Sequence, residues 1–215
     1  MAHERTAPRT RTPRSDGIRT RQAILDEAAR LATVEGIEGL SLARLADRVG
    51  MSKSGLFAHF GSKEELQLAT VERATAIFTE DVFEPAAAAP NGLERLQTLL
   101  ERFLGYVEVG VFPGGCFFAS AVAELDTRSG PVRDLVLGVA ADWTDALEEA
   151  VRDAQAEGLV DPDVGPAQLA FQLNAYALLG NGQFVASGSK EPLDRARGAI
   201  AERLDAVRVA GSAGT

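Results

Sequence analysis

Apolar residues recur at helical spacing along most of the chain, and no segment keeps the strict alternation of a half-buried strand. The clearest stripe steps by three and four positions through Leu93, Leu96, Leu100, Phe103 and Val107. A similar stripe follows between residues 132 and 150. Such stripes are typical of amphipathic helices that bury one face against neighbouring helices. The pattern therefore predicts an all-α protein.

The N-terminal part of the chain predicts three helices, each followed by a glycine. The first covers residues 19–35 and ends before Gly36, because glycine readily closes a helix. The second begins after Ser41 and the third after Ser52, since serine side chains cap helix N-termini. We expect the inward side of the third helix to carry Leu56, Phe57 and Phe60. Two short helices joined by a tight turn predict a helix-turn-helix, whose second helix enters the major groove of DNA.

The outward side of this third helix is small and basic. Small side chains let a helix approach DNA closely, and lysine, serine and histidine donate to base edges or phosphates. Lys63 opens the next helix, where Ser62 and Glu65 form a capping box. For the arginines of the second helix, a solvated surface charge is the alternative. The DNA-binding candidates are Ser41, Arg44, Ser52, Lys53, Ser54, Gly55, His59 and Lys63.

The net charge of −9 is unevenly distributed. Residues 1–63 hold 11 basic and 7 acidic side chains, whereas residues 64–215 hold 11 and 24. A basic N-terminal part suits contact with phosphates, and an acidic remainder does not. Residues 1–17 have little to bury and predict a disordered basic arm, which either reaches DNA or is an inert tail. Its arginines are Arg5, Arg9, Arg11 and Arg14.

The stretch from Ser41 to Leu66 resembles the DNA-binding domain of the TetR (tetracycline-repressor-like) family. The family usually has tyrosine where this chain has Phe57, so one phosphate contact is expected to be lost. The resemblance implies a DNA-binding transcriptional regulator, more often a repressor than an activator. It also implies a two-fold dimer whose C-terminal helices hold a small molecule that releases the palindromic operator. The matching positions are Ser41, Gly50, Met51, Ser52, Leu56, Phe57, His59, Phe60, Lys63 and Leu66.

The domains expected on this basis are the arm at residues 1–17, a three-helix helix-turn-helix domain at 18–65, and a helical effector-binding and dimerisation domain at 66–210. The fourth helix, ending near Phe83 before a break at Pro85, joins the last two and is expected to couple them. The helix of residues 163–187 is apolar on two faces, so a second subunit or a larger internal core must cover one of them. The residues assigned to the dimer interface are Leu173, Ala177, Gly180, Phe184, Ile200 and Leu204.

A ligand pocket in the C-terminal helices has aromatic and polar candidates. Helically spaced aromatic residues are otherwise core residues, and a lone cysteine is otherwise a small buried hydrophobic residue rather than a redox switch. Asn174, Gln172 and Asn181 lie among apolar residues and could anchor a polar group, or face solvent or an interface. The ligand-binding candidates are Phe103, Tyr106, Phe112, Cys116, Phe117, Trp143 and Asn174.

Catalytic motifs are missing from the sequence, so we do not expect an enzyme, a cofactor or a metal. The two histidines, His3 and His59, have no glutamate three residues before them, and no Gly-rich phosphate loop occurs. No apolar run has the length of a membrane span. The polar first residues and a single cysteine favour the cytoplasm. The alternative function is a helical small-molecule sensor or scaffold that acts through protein partners.

Overall fold

The computed structural model describes residues 13–209, which fold into ten α-helices and one π-helical turn. No strand occurs in this range, so the all-α expectation is confirmed. None of its helices is both long enough and apolar enough to cross a membrane. The helices are α1 (Pro13–Glu35), α2 (Leu42–Val49), α3 (Lys53–Phe57), α4 (Lys63–Phe78), α5 (Glu84–Ala87), α6 (Gly92–Glu108), α7 (Phe117–Leu125), α8 (Pro131–Ala156), α9 (Pro166–Ser187) and α10 (Glu191–Val207).

Side-chain caps set the boundaries of the short N-terminal helices, as the sequence predicts. The hydroxyl of Ser41 accepts the Arg44 amide at 3.2 Å, and that of Ser52 accepts the Gly55 amide at 3.0 Å. At α4 the Ser62 hydroxyl accepts the Glu65 amide at 3.0 Å, and the Glu65 carboxylate accepts the amide of Gly61, one residue before the cap, at 2.8 Å. Each cap satisfies amides that a helix start would otherwise leave unpaired. The third helix ends at Phe57, three residues before its predicted end.

Helix α1 begins at Pro13, six residues before its predicted start. Proline suits a first helical turn because its fixed φ is helical and its missing N–H has no partner there. Residues 13–17, which the sequence assigned to the arm, therefore belong to a helix. The rest of the arm, with Arg5, Arg9 and Arg11, lies outside the described residues.

A π-helical turn at Thr79–Phe83 carries the chain through the predicted break at Pro85. Proline cannot donate to the carbonyl four residues earlier, which would interrupt a continuous α-helix. The wider turn precedes Pro85, which then lies in the first turn of α5. Val82 and Ala86 are both buried by this path. The backbone therefore stays helical to Ala87 instead of breaking at Pro85.

The buried apolar residues form two hydrophobic cores, a small one and a large one. The small core joins α1–α4 through residues such as Ile24, Leu45, Leu56 and Phe60. The large core is centred on α8, which packs against α4, α6, α7 and α9. Helices α1 and α4 contribute to both cores, since Val71, Ala74 and Phe78 of α4 belong to the large one. The two cores are therefore joined by shared helices.

The predicted dimer interface is wrong, because its residues are packed against other helices within the single chain. Leu173 and Ala177 are fully buried, and Leu204 is 2 % exposed. A Cβ atom on Gly180 would lie 2.8 Å from the Cβ of Ala196, so glycine permits the close packing of α9 on α10. Phe184 packs, partly buried, against the same core, and Ile200 is buried there. For this face, the larger internal core is the correct alternative.

Candidate functional site

The turn between α2 and α3 holds the two helices in a fixed arrangement. Helix α2 ends at Gly50, whose φ of 65° is left-handed, and the Met51 amide then donates to Ala46 at 2.9 Å. Leu56 and Phe60 are buried in the small core, which anchors α3 from below. The guanidinium of Arg21 lies 5.0 Å from the centre of the Phe60 ring. The opposite side of α3 is left at the surface.

That opposite side presents both polar and apolar groups. Lys53 and Ser54 are exposed, Gly55 and His59 are half-buried, and the hydroxyls of Ser52 and Ser54 lie 3.2 Å apart. Phe57 was predicted to point inward, but its side chain is 51 % exposed. The reason is that Leu56 and Phe60, four residues apart, already fill the inward face. Phe57 therefore belongs to the exposed side of α3.

Two further DNA-binding candidates, Arg44 and Lys63, are already held by acidic or carbonyl groups. Arg44 pairs with Glu35 at 2.7 Å, and the Lys63 ammonium donates to the Glu38 carbonyl at 2.6 Å. Both side chains remain largely exposed, and each has further N–H groups to donate. Ser41 and Ser52 use their oxygens as caps, and either the Ser52 or the Ser54 hydroxyl donates to the other. The candidate DNA-binding residues are thus all at least partly exposed, on α2, on and just after α3, and at the starts of these helices and of α4.

A cavity of about 590 Å³ lies within the C-terminal helices. Helices α6, α7, α8 and α9 supply most of its wall. Among the predicted ligand-binding residues, Phe103, Cys116, Trp143 and Asn174 line it. Phe118, which was also an aromatic candidate, lines it too, and so does Phe78 of α4, which the sequence did not single out. Exposed wall residues mark where the cavity reaches the surface between α7 and α9: Ala123, Leu178, Gly182 and Val185.

Tyr106, Phe112 and Phe117 do not line the cavity, in contrast to the sequence prediction. They are buried behind its wall, where Tyr106 meets the rings of Phe78 and Phe112 edge-on at 5.6 and 6.0 Å. The wall itself contains the stacked rings of Phe103 and Trp143, whose centres lie 5.4 Å apart. These core aromatics therefore support the wall without facing the cavity.

Two amide side chains of α9 face the cavity in fixed orientations. The indole N–H of Trp143 donates to Oδ1 of Asn174 at 2.9 Å. The Cys116 amide donates to Oδ1 of Asn181 at 2.8 Å. Because an indole N–H and a backbone N–H can only donate, each Oδ1 is assigned by chemistry and each Nδ2 remains a donor. Within residues 13–209, neither Nδ2 group has a hydrogen-bond partner.

Cys116 is buried in the same wall, and burial raises the pKa of its thiol to about 11. The thiol is therefore neutral at physiological pH. Since the thiolate is the reactive form, the redox switch considered from the sequence is disfavoured. Cys116 is instead a small apolar wall residue, as the alternative interpretation had it.

Helix α7 joins the cavity to the N-terminal helices through Glu124. Its carboxylate accepts the amides of Ile37 and Glu38 at 2.7 and 2.8 Å, just after α1. Gly36 has a φ of 81°, and a Cβ atom there would lie 2.7 Å from Glu124 Oε1. On the preceding loop, the Val111 carbonyl accepts a hydrogen bond from Arg30 at 3.0 Å. The wall element α7 is thus bonded directly to the end of α1.

Helix α9 has an exposed face that carries no charge. Within residues 166–187 no acidic or basic side chain occurs, although half of these residues are solvent-exposed. Phe171 is 68 % exposed and Leu179 is 60 % exposed. Beside them, α9 and α10 enclose a shallow groove that includes Tyr176 and Ala199. An uncharged apolar surface of this kind is typical of a protein–protein interface.

Two family models match the chain. "Tetracyclin repressor-like, C-terminal domain" matches residues 92–200, and "Bacterial regulatory proteins, tetR family" matches residues 24–70. The HTH-type transcriptional repressor AcnR of Corynebacterium efficiens is 38% identical over 85 residues, which are 39% of this chain and 42% of AcnR. The HTH-type transcriptional activator FasR of Mycolicibacterium smegmatis is 30% identical over 46% of this chain and 43% of FasR. The chain thus spans less than half the length of these curated relatives.

Solved structures resemble the chain over most of its length. A TetR transcriptional regulator from Chloroflexus aurantiacus has a TM-score of 0.83 and 26% identity, covering 91% of this chain and all of that one. AibR, solved with isovaleryl coenzyme A and operator DNA, has a TM-score of 0.68 and 29% identity, covering 83% of this chain and 96% of AibR. Both similarities include the N-terminal and the C-terminal helices.

Proposed function

Because this chain belongs to the TetR family of bacterial transcriptional regulators, we propose that it binds a palindromic operator as a homodimer and is released by a small-molecule effector. The observation that carries this proposal is the exposed side of α3, with Lys53, Ser54 and Phe57, in a chain that also holds a cavity of about 590 Å³. We assign DNA binding to residues 18–65, and effector binding and dimerisation to residues 66–210. We expect it to act as a repressor, which is the commoner action in the family. We expect the protein to lie in the cytoplasm, where chromosomal DNA lies.

In the proposed complex, α3 lies in the major groove. Lys53 and Ser54 meet base edges, and Gly55 lets the backbone come close. The exposed ring of Phe57 suits apolar contact with a thymine methyl group, which a buried side chain could not make. Arg44, Lys63 and the capping serines contact phosphates along the groove, and His59 donates to the backbone at the end of α3. Two copies place their α3 helices about 34–36 Å apart, on successive turns of the duplex.

The second copy is proposed to cover the exposed face of α9. Phe171 and Leu179 lie on this face, and the groove between α9 and α10 accepts side chains from the partner. Four helices, two from each copy, then form a bundle around a two-fold axis. The homodimer prediction is kept, whereas its interface moves to the opposite face of α9.

We propose that the effector acts on the N-terminal helices through α7 as well as through α4, which the sequence favoured. Ala119, Ser120 and Ala123 of α7 line the cavity, and Glu124 follows them. A ligand that displaces α7 therefore changes the position of the end of α1. Helix α4 offers a parallel route, since Phe78 lies in the wall and Leu66 in the small core. Coupling energies between such sites are typically about 1–3 kcal/mol.

A salt titration of operator binding tests the DNA contact of Lys63. We expect Lys63→Ala to weaken binding to all sequences alike and to lower the log–log salt slope by about 1, because one phosphate contact is lost. Fluorescence anisotropy with labelled duplexes measures both quantities. Lys190→Ala is the matched control, since Lys190 pairs with Glu108 in the C-terminal helices at 2.7 Å. An unchanged slope for Lys63→Ala contradicts the contact, and a wild-type slope near zero favours the protein-partner alternative.

A further inference from the structure

We infer that the cavity accepts an electrically neutral, largely aromatic ligand that carries a hydrogen-bond acceptor such as a carbonyl oxygen. The inference deepens the proposed function, because it assigns a chemical class to the effector of that function. It rests on three properties of the wall: its lack of charge, its stacked aromatic rings and its two oriented amides. Each property selects independently among ligands.

The lack of charge excludes ionised groups. Of the described residues that line the cavity, none is acidic or basic, and its thiol is neutral. An ion that enters such a space loses its hydration and gains no counter-ion, which is strongly unfavourable. Phosphate, sulfonate, carboxylate and ammonium groups would therefore have to stay outside or become neutral. The wall selects a ligand without a formal charge.

The aromatic side of the wall favours planar rings. Phe103 and Trp143 stack with an interplanar angle of 27°, and Phe78 meets the Trp143 ring edge-on at 5.7 Å. Rings prefer offset-stacked and edge-to-face arrangements, which this wall offers to an inserted aromatic system. The volume of about 590 Å³ lies in the usual range for drug-sized ligands. A ligand with two or three rings matches this space.

The amide side of the wall supplies two unpaired donors, whereas each carboxamide oxygen already accepts one hydrogen bond. Trp143 and Cys116 already donate to Oδ1 of Asn174 and Asn181, so the Nδ2 groups are the carboxamide atoms that have no partner at all. The two residues are seven positions apart on α9, which places them about 10 Å apart along one helix face. A ligand that fills the cavity would bury these donors, and a buried donor without a partner is costly, so a ligand oxygen at either amide stabilises the complex. The recognised group is therefore an acceptor.

A matched pair of fluorescent probes tests the charge selection. N-phenyl-1-naphthylamine is neutral, and 8-anilino-1-naphthalenesulfonate has the same ring system with an added sulfonate. We expect the neutral probe to bind at least tenfold more tightly, with quenching of Trp143, the single tryptophan of the chain and a wall residue. Equal or tighter binding of the sulfonate overturns the inference.

A variant that fills the cavity checks where the probe binds. Ala140→Phe adds a ring to the wall and is expected to weaken the neutral probe at least tenfold. Ala141→Phe adds the same ring on the exposed side of α8 and is expected to leave its affinity unchanged. If both variants bind the probe like the wild type, the probe lies elsewhere and the inference fails.

A second matched pair tests the acceptor. We expect 2-acetylnaphthalene to bind at least fivefold more tightly than 2-ethylnaphthalene, which lacks the carbonyl. Asn174→Asp and Asn181→Asp keep the oxygen that each protein N–H requires but lose the Nδ2 donors, so the ratio should fall towards one in at least one variant. No preference in the wild type overturns the acceptor assignment. These assays contain no DNA, so a chain that binds the neutral probes but no operator refutes the proposed function and leaves the ligand class intact.

Discussion

Leu179→Glu is expected to convert the dimer into monomers and to lower operator affinity at least a hundredfold. Leu179 is 60 % exposed in the single chain, so a glutamate there is hydrated in the monomer and leaves its fold intact. In the dimer the same carboxylate would be buried beside Arg195, which already pairs with Glu191, and burying the added charge costs several kcal/mol. A monomer binds only one half-site of the operator and loses the DNA contacts that the second subunit makes. Sedimentation velocity and operator anisotropy measure the two effects.

Leu204→Ala separates this interface from the one inferred from the sequence. Leu204 is 2 % exposed and packs in the large core, so its truncation should destabilise the fold by about 2–5 kcal/mol. Under conditions where it remains folded, the variant should still sediment as a dimer. Urea unfolding and sedimentation of the same sample give both results. A dimeric Leu179→Glu or a folded but monomeric Leu204→Ala would refute the reassigned face.

The helix-turn-helix could be predicted because local interactions define it. Ser41, Ser52 and Ser62 cap helices within three residues of themselves, and Gly50 closes α2 where the sequence places it. The orientation of Phe57 could not be predicted as reliably, because α3 has only five residues and one short turn does not define a face. Strong caps thus fix where short helices lie, and the surrounding core decides which side they bury.

The two faces of α9 illustrate what periodicity leaves open. Leu173 and Phe171 lie on the two apolar faces that helical spacing marks on this helix, yet the first is buried in the chain and the second is exposed. Only the packing of α10 and α8 decides between them. One signal in the sequence was available, namely that residues 166–187 contain no charge at all. A helix without charge on either side indicates that its outer face is also covered.

Of the seven residues predicted to bind the ligand, four line the cavity, because helical spacing does not define which side of a helix faces it. Phe103 and Tyr106 are three positions apart on α6, so they lie on nearly the same side of the helix. Phe103 nevertheless lines the cavity, whereas Tyr106 belongs to the core behind it. Glu124 has no local signal, because its partners Ile37 and Glu38 are more than 80 positions away in the sequence. It is the single charged residue of α7. A lone carboxylate on an otherwise apolar helix could have suggested a specific hydrogen-bond partner.

Glu124→Ala is expected to release the end of α1 from α7 and to speed hydrogen exchange at the Ile37 and Glu38 amides about 10- to 100-fold. Hydrogen bonds to a charged acceptor contribute about 1.5–3 kcal/mol each, and every 1.4 kcal/mol corresponds to a factor of ten. Exchange measured by mass spectrometry or NMR reports the two amides directly. Asp126→Ala, one exposed residue beyond α7, is the matched control and should leave both amides protected.

The same substitution distinguishes a coupling element from a structural bond. If α7 carries the effector signal, a neutral cavity ligand such as 2-acetylnaphthalene should change exchange at Ile37 in the wild type and leave it unchanged in Glu124→Ala, although the ligand binds both equally. Glu124→Gln keeps one oxygen for one of the two amides and should retain part of the response. A ligand response at Ile37 that persists in full without the carboxylate assigns the coupling to α4 alone, since Phe78 and Leu66 then form the remaining connection between the cavity and the helix-turn-helix.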